Sequence, residues 1–160
     1  MVIHARSDLC RRVALVVLFF GLSGCGGDDP TGPGDDTNVQ QFVQLMNQHR
    51  AMQGCEKLVW RQDVADVAAA HSEDMIARGY FAHTNPDGKG PGARLSAARI
   101  ANTAWGENLA RGTTDAGTVL DLWLNSPGHR ANIEQCSFTQ HGVGLVADHW
   151  THVFIRNTTN

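Results

Sequence analysis

QHGVGLVADHWTHVFIR, residues 140–156, is the stretch that decides the fold class of this chain. Apolar and β-branched residues alternate or run together on both sides of a break at residues 147–149, which predicts two strands joined by a tight turn. The segments with a helical pattern all lie before this hairpin. Helices followed by a closing antiparallel hairpin predict an α+β fold rather than a parallel α/β sheet.

The second predicted strand carries two histidines, His149 and His152. Because side chains alternate between the two faces of a strand, these histidines point in opposite directions. His152 shares its face with Trp150 and Phe154, so we expect it to be packed in the core. His149 lies at the start of the strand, where clefts form, and is therefore the better candidate for a site.

Upstream of the hairpin, apolar residues at helical spacing predict two long helices, at residues 37–53 and 60–80. His71 lies on the apolar stripe of the second helix, so we expect a core histidine that hydrogen-bonds to the backbone. A loop rich in Gly and Pro follows at residues 81–92. Beyond this loop the pattern predicts a short helix at residues 93–100 and an extended segment at 105–112. A helix at 114–126 and a brief helix at 127–135 follow.

The N-terminus is typical of a bacterial lipoprotein signal. Three arginines precede the uncharged run VALVVLFFGL, which is shorter than the about 20 apolar residues of a membrane span. LSGC at residues 22–25 resembles a lipobox, which predicts a lipid on Cys25 that anchors the protein at the cell envelope. Secretion of a soluble protein after cleavage nearby is the alternative. Gly26 is not the Asp that favours inner-membrane retention, so the outer membrane is expected in a Gram-negative cell.

Three segments are therefore predicted: a signal peptide at residues 1–24, a flexible tether of Gly, Pro and Asp at 25–37, and one folded domain at 38–160. From Cys25 onward, ten Lys and Arg residues oppose fifteen Asp and Glu residues, and two of the basic residues are lysines. This acidic balance argues against nucleic acid as a partner. We expect the domain to be a monomer.

Two cysteines, Cys55 and Cys136, lie within the predicted domain. In an exported protein such a pair favours a disulfide, and two separate thiols are the alternative. The two positions lack the CxxC spacing that is typical of a zinc site.

Five stretches occur in a set order: AAAHSEDMIARGYFAH, WGENLARG, VLDLWLNSPGHRANI, GVGLV and HWTHVFIR. In this order and spacing they resemble the CAP superfamily, the SCP-like domain of cysteine-rich secretory, antigen 5 and pathogenesis-related proteins, and above all its short exported bacterial branch. The stretches span nearly all of residues 38–156. The resemblance implies a three-layer α-β-α sandwich with a small, mostly antiparallel sheet.

The resemblance also implies a cleft lined by two histidines and two acidic residues. By position, His83 in YFAH matches the first histidine and Glu107 in GEN matches the first acid. His149 in HWTH matches the second histidine. Ser126 stands where the second acid is usual, so the set of four is incomplete, and His129 in SPGHR is a further candidate for the cleft.

Several functions are compatible with these residues. His83 and His149 with one carboxylate could hold a divalent metal such as Zn²⁺, or act as an acid–base set near neutral pH. No HExxH or G-x-S-x-G motif is present. The incomplete acidic set favours a binding module for a metal or for an envelope, lipid or cell-wall ligand over an enzyme. The alternatives are an extracellular hydrolase, metal-dependent or based on His and Glu, for peptide or cell-wall substrates, and an envelope interaction protein with a vestigial cleft.

Overall fold

A computed structural model describes residues 36–157 of the chain. The predicted signal peptide, Cys25 and the predicted tether up to residue 35 lie outside the described residues. The helices are α1 Thr37–Met52, α2 Gln62–Arg78, α3 Pro91–Ala97, α4 Ala116–Leu124 and α5 Pro127–Ile133. The strands are β1 Val59–Trp60, β2 Ala104–Arg111, β3 Gln140–Val146 and β4 His149–Arg156. None of the helices in this part of the chain is long and apolar enough to cross a membrane.

The strands form one sheet in the order β1-β3-β4-β2. β3 and β4 form the expected hairpin, with a two-residue turn between Val146 and His149, and β2 pairs antiparallel to the other edge of β4. β1 pairs parallel to β3, so the sheet is mixed and not purely antiparallel. The sequence pattern did not predict β1, because a strand of two residues is too short to show alternation.

Helices cover both faces of the sheet, which confirms the α+β fold. On one face, α2 and α3 enclose a small core, which consists of Val64, Ala68, Leu95, Ile100, Val153 and Ile155. On the other face, α1, α4 and α5 enclose a larger aromatic core that includes Phe42, Trp123, Trp150 and Phe154. Alternation along β4 distributes its side chains between these two cores, as the sequence predicts.

Two glycines of β3 explain how closely α2 lies on the sheet. A Cβ atom on Gly142 would overlap the backbone of Ala65, and one on Gly144 would overlap the backbone of Ala69. Glycine at these positions therefore allows the helix backbone to contact the strand directly. This contact fixes the position of α2, whose C-terminus leads into the loop that carries His83.

Three expectations about buried groups are confirmed in the folded domain. Cys55 and Cys136 form a disulfide, with Cα atoms 4.9 Å apart and a sequence separation of 81. His71 is 1% exposed, and its Nε2 lies 3.0 Å from the carbonyl oxygen of Ala82. His152 is fully buried, with its ring against Phe42, Trp123 and Phe154.

Element boundaries match the sequence pattern within a few residues. α1 begins at Thr37, the last residue of the expected tether, and Asp36 caps it by accepting from the backbone N–H groups of Asn38 and Val39. α3 begins at Pro91, two residues before the expected start, because proline fits the first turn of a helix without loss of a hydrogen bond. The segment at residues 105–112 is extended as expected, within β2.

Candidate functional site

Glu107 is the centre of the candidate site. It lies on β2, and its side chain is 1% exposed. His83 donates from Nδ1 to Glu107 Oε1 over 2.9 Å, because a carboxylate can only accept. Arg94 donates from Nη2 to Glu107 Oε2 over 2.6 Å. Both oxygens of the carboxylate are therefore engaged, and its charge is balanced within the site.

Arg94 also positions the loop that carries His83. From α3, its Nη1 donates to the carbonyl oxygens of His83 and Lys89, each over 2.9 Å. Inside the loop, Asn85 Oδ1 accepts from the backbone N–H groups of Asp87 and Lys89. These contacts hold a glycine-rich segment in one conformation, so His83 is fixed although its side chain is 52% exposed.

The outer edge of β2 is occupied by side chains. Asn132 Nδ2 donates to the carbonyl oxygen of Glu107 over 3.2 Å, and Trp123 Nε1 donates to that of Leu109 over 2.9 Å. Asn132 also donates to Asn108 Oδ1, 2.8 Å away. These bonds attach α4 and α5 to the strand and satisfy backbone acceptors that an edge strand otherwise leaves open.

An open cleft of about 560 Å³ lies over Glu107. One side is the loop with His83 and Thr84, another is the start of α3, and Asn132 closes the end near α5. Trp105 of β2 forms a large part of the wall and is 48% exposed. The cleft thus combines an exposed indole, an exposed imidazole, an amide and a carboxylate whose charge is balanced by Arg94.

His149 lies on the same face of the sheet as Glu107 but further along it. In the register of β2 and β4, Glu107 is opposite Val153, and His149 is opposite Arg111. His149 lies four positions before Val153 along β4, roughly 13 Å at the usual rise of a strand. His149 Nδ1 lies 2.8 Å from Asp148 Oδ1, and its ring contacts Phe81, which also stacks on the Arg111 guanidinium.

Ser126 and His129 line a second, smaller cleft of about 290 Å³ beside Leu109 and Arg111. Ser126 is the N-cap residue of α5, and its side chain makes no capping bond. Burial, and then the nearby charge of His83, lower the pKa of His129 below its usual 6.5. Within residues 36–157 no group hydrogen-bonds to the His129 imidazole, so it faces the cleft as a neutral ring.

Comparison with known proteins identifies the family of this site and fold. The profile of the CAP family, described as the cysteine-rich secretory protein family, matches residues 43–154. This chain belongs to the cysteine-rich secretory protein family. The matched range includes His83, Glu107 and His149, all of α2, and most of α1 and of the hairpin.

Two curated relatives come from Bacillus subtilis strain 168. The membrane protein YlbC is 35% identical over 120 residues, which cover 75% of this chain and 35% of YlbC. The protein YkwD is 36% identical over 118 residues, which cover 72% of this chain and 46% of YkwD. Both relatives are described as uncharacterized. The chain thus spans less than half the length of the curated relatives it matches.

Solved structures share the fold. An extracellular protein with an SCP domain from Bacillus anthracis superposes with a TM-score of 0.73 at 39% identity, over 75% of this chain and 40% of that one. An outer surface protein from Borrelia burgdorferi superposes with a TM-score of 0.73 at 18% identity, over 77% of this chain and 95% of that one. The second likeness concerns the fold alone.

The described residues do not fit a metal ion. A zinc site needs three or four ligands that converge on one point. Among residues 36–157, no group of three or more His, Cys, Asp or Glu side chains is placed to hold a metal ion. His83 and Glu107 bond to each other, whereas His149 bonds to Asp148 in the turn before β4. No metal therefore enters the function proposed below.

Three residues of the site were not predicted from the sequence. Arg94 and Asn132 reach Glu107 from helices that precede and follow β2, and only the tertiary fold brings them together. Trp105 offers a clearer signal, because a tryptophan directly before GEN starts a strand whose next residues are polar. An aromatic residue at the rim of a predicted cleft is a sound candidate for ligand contact.

Proposed function

We propose that this domain is an exported binding module, whose cleft over Glu107 holds a ligand of the cell envelope. The observation that carries the proposal is the state of the Glu107 carboxylate. Its two oxygens are taken by Arg94 and His83, and it is the acidic residue that lines the cleft. A carboxylate in this arrangement organises the cleft and is not free to remove a proton from water.

The shape and chemistry of the cleft support binding. A volume of about 560 Å³ lies within the usual range of small-molecule sites. Trp105 supplies an exposed apolar surface, and His83 and Asn132 supply hydrogen-bonding groups beside it. Arg94 holds the backbone of His83 in position, which reduces the entropy lost when a ligand binds.

Export and anchoring complete the proposal. Similarity to an extracellular protein and an outer surface protein supports export, as does the disulfide. We place the domain at the envelope through a lipid on Cys25, on the side of the outer membrane where the cell has one. A short tether between Cys25 and α1 would keep the cleft near envelope polymers and lipids.

A hydrolase is the second candidate, and His129 is the observation that favours it. Its imidazole is neutral at pH 7, because burial lowers its pKa, and it lines the same small cleft as Ser126. A neutral imidazole can accept a proton in general base catalysis. The hydrolase would act on a substrate that reaches from the Glu107 cleft into this smaller cleft.

Co-sedimentation with envelope fractions tests the proposed function. The full-chain protein is mixed with insoluble cell-wall material and, separately, with vesicles of extracted envelope lipid. We expect it to pellet with one of the two fractions, and we expect the His83→Ala variant to pellet less. Protein that stays in the supernatant with both fractions would contradict a binding function.

The matched control is His49→Ala. Like His83, His49 forms one 2.9 Å hydrogen bond to a glutamate, but that glutamate is Glu134, and neither His49 nor Glu134 lines the cleft. Its co-sedimentation should equal that of the unmodified protein. Soluble products that accumulate with the unmodified protein and not with His129→Gln would favour the hydrolase. Stable capture of an envelope protein would favour the other alternative, an envelope interaction protein with a vestigial cleft.

A further inference from the structure

The Glu107 cleft continues past Trp105 into another cleft. This neighbour has a volume of about 390 Å³ and lies between α3 and the start of β2. Gly92 and Trp105 line both clefts, so the indole forms the ridge between them. We call the two clefts and their shared indole the Trp105 groove.

The indole is held in place from one side. A Cβ atom on Gly92 would lie 2.8 Å from Trp105 Nε1 and 3.1 Å from Cε2, so the indole packs directly on the backbone of α3. Its remaining surface is exposed, at 48% of the residue. The other tryptophans, Trp60, Trp123 and Trp150, are at most 8% exposed. Trp105 is thus a fixed, flat apolar surface, which a core tryptophan cannot offer to a ligand.

Polar groups surround the indole on both sides. Toward Glu107 they include the His83 imidazole and the Asn132 amide. On the other side Ser96 and Asn102 line the groove, together with the exposed Arg99. Hydroxyl and amide groups both donate and accept hydrogen bonds. The groove therefore offers one apolar surface within a rim of mixed donors and acceptors.

We propose that the Trp105 groove binds a linear oligosaccharide, with one sugar ring stacked on the indole. A pyranose has a flat face of C–H groups and a rim of hydroxyls, which matches this arrangement of surfaces. A chain of such rings would occupy both clefts across the ridge. This inference rests on the proposed binding function and names the chemical class of the ligand.

Two other ligand classes fit less well. A peptide that adds to β2 as a strand needs free backbone acceptors, but the carbonyls of Glu107 and Leu109 already accept from Asn132 and Trp123. An acyl chain needs an enclosed apolar cavity, whereas both clefts are open and polar side chains line part of each. A hydroxyl-rich, rigid chain meets neither obstacle.

Titration with defined oligosaccharides tests the inference. Tetramers of N-acetylglucosamine, glucose and mannose are added to the full-chain protein, and tryptophan fluorescence is recorded. We expect at least one tetramer to bind and the Trp105→Ala variant to bind it at least about tenfold more weakly, as for loss of an aromatic stacking surface. Trp105→Phe should retain more of the affinity, because it keeps a flat ring.

Two further variants show whether weaker binding results from lost stacking on the indole or from a less stable fold. Gly92→Ala should weaken binding by displacing the indole, although alanine favours the helix. Met52→Ala removes an apolar side chain that is 75% exposed at the end of α1, and should bind as the unmodified protein does. Thermal unfolding of each variant shows whether it is folded.

The outcomes distinguish this inference from the proposed function. Unchanged binding by folded Trp105→Ala, or no binding of any tetramer by protein that still sediments with the envelope, would overturn the oligosaccharide assignment alone. Sedimentation with lipid vesicles that His83→Ala reduces, without sedimentation on cell-wall material, would overturn it as well, because a lipid on Cys25 alone gives vesicle binding that this variant leaves unchanged. Failure to bind either envelope fraction would remove the proposed function and this inference together.

Discussion

Two buried histidines should make the stability of the domain depend on pH. His141 and His152 are fully buried, and Nδ1 of the first lies 3.0 Å from Nε2 of the second. Burial, and then the positive charge of Arg50, lower the pKa of His141 to about 3. Burial, and then His141 and Arg50, lower the pKa of His152 well below 6.5. Both rings are therefore neutral in the folded protein at mildly acidic pH.

The magnitude follows from the difference between the folded and unfolded states. In the unfolded chain each histidine takes up a proton with a pKa near 6.5, so the unfolded state binds more protons below that pH. Stability is complete above pH 6.5 and falls as the pH drops toward the folded-state values. At about pH 5 the loss is about 2 kcal/mol for each histidine, or about 4 kcal/mol for the pair. Aspartate and glutamate titrate mainly below this range.

Urea unfolding of the unmodified protein and of His152→Gln, at about pH 7.5 and about pH 5, measures this effect. Glutamine keeps a hydrogen-bonding group toward His141 but does not titrate. We expect the loss of stability between the two pH values to be about 2 kcal/mol smaller in the variant. A constant destabilisation cancels, because each protein is compared with itself. Equal losses in the two proteins would refute the reasoning.

Three further changes test the packing and the site. Gly144→Ala should lower the free energy of unfolding by about 1–3 kcal/mol, because the new Cβ would overlap the α2 backbone. Gly128→Ala, where the new Cβ meets open space, should lower it by less than about 0.5 kcal/mol. Equal values for the two variants would contradict the close contact. Replacing Cys55 and Cys136 together by serine should reduce the stability to urea by about 4.5 kcal/mol, since the disulfide closes a loop of 81 residues. Glu107→Gln leaves a mostly buried guanidinium without its carboxylate and should cost about 3 kcal/mol by thermal unfolding. Loss of less than about 1 kcal/mol, typical of exposed pairs, would show that this pair contributes little.

Local pattern predicts the parts of the fold that depend on neighbours in sequence. The periodicity of α1 and α2 and the alternation of β3 and β4 identify these elements within a few residues. Alternation also assigns His152 to the core correctly, because the side of a strand depends only on residue parity. β1 was missed because two residues carry no pattern.

The candidate site depends on contacts between distant residues, which pattern alone does not reveal. Resemblance to the family indicated His83 and Glu107, and the structure places them in hydrogen-bond contact. The separation of His149 from this pair follows from the register of β2 and β4, which the sequence does not specify. The role of Arg94 depends on how α3 packs beside β2, so a lone arginine after a glycine-rich loop gave no signal.

Nuclear magnetic resonance of the tryptophan side chains tests the central claim most directly. The chain has four tryptophans, and the indole N–H groups of Trp60, Trp123 and Trp150 donate to groups within the domain. The indole of Trp105 lies in the cleft wall and is the exposed one of the four. When enzymatically solubilised cell-wall fragments are added, we predict that the Trp105 indole signal shifts and the other three signals stay in place. An unchanged Trp105 signal, at fragment concentrations that the protein demonstrably binds, would contradict the assignment of this cleft as the binding site.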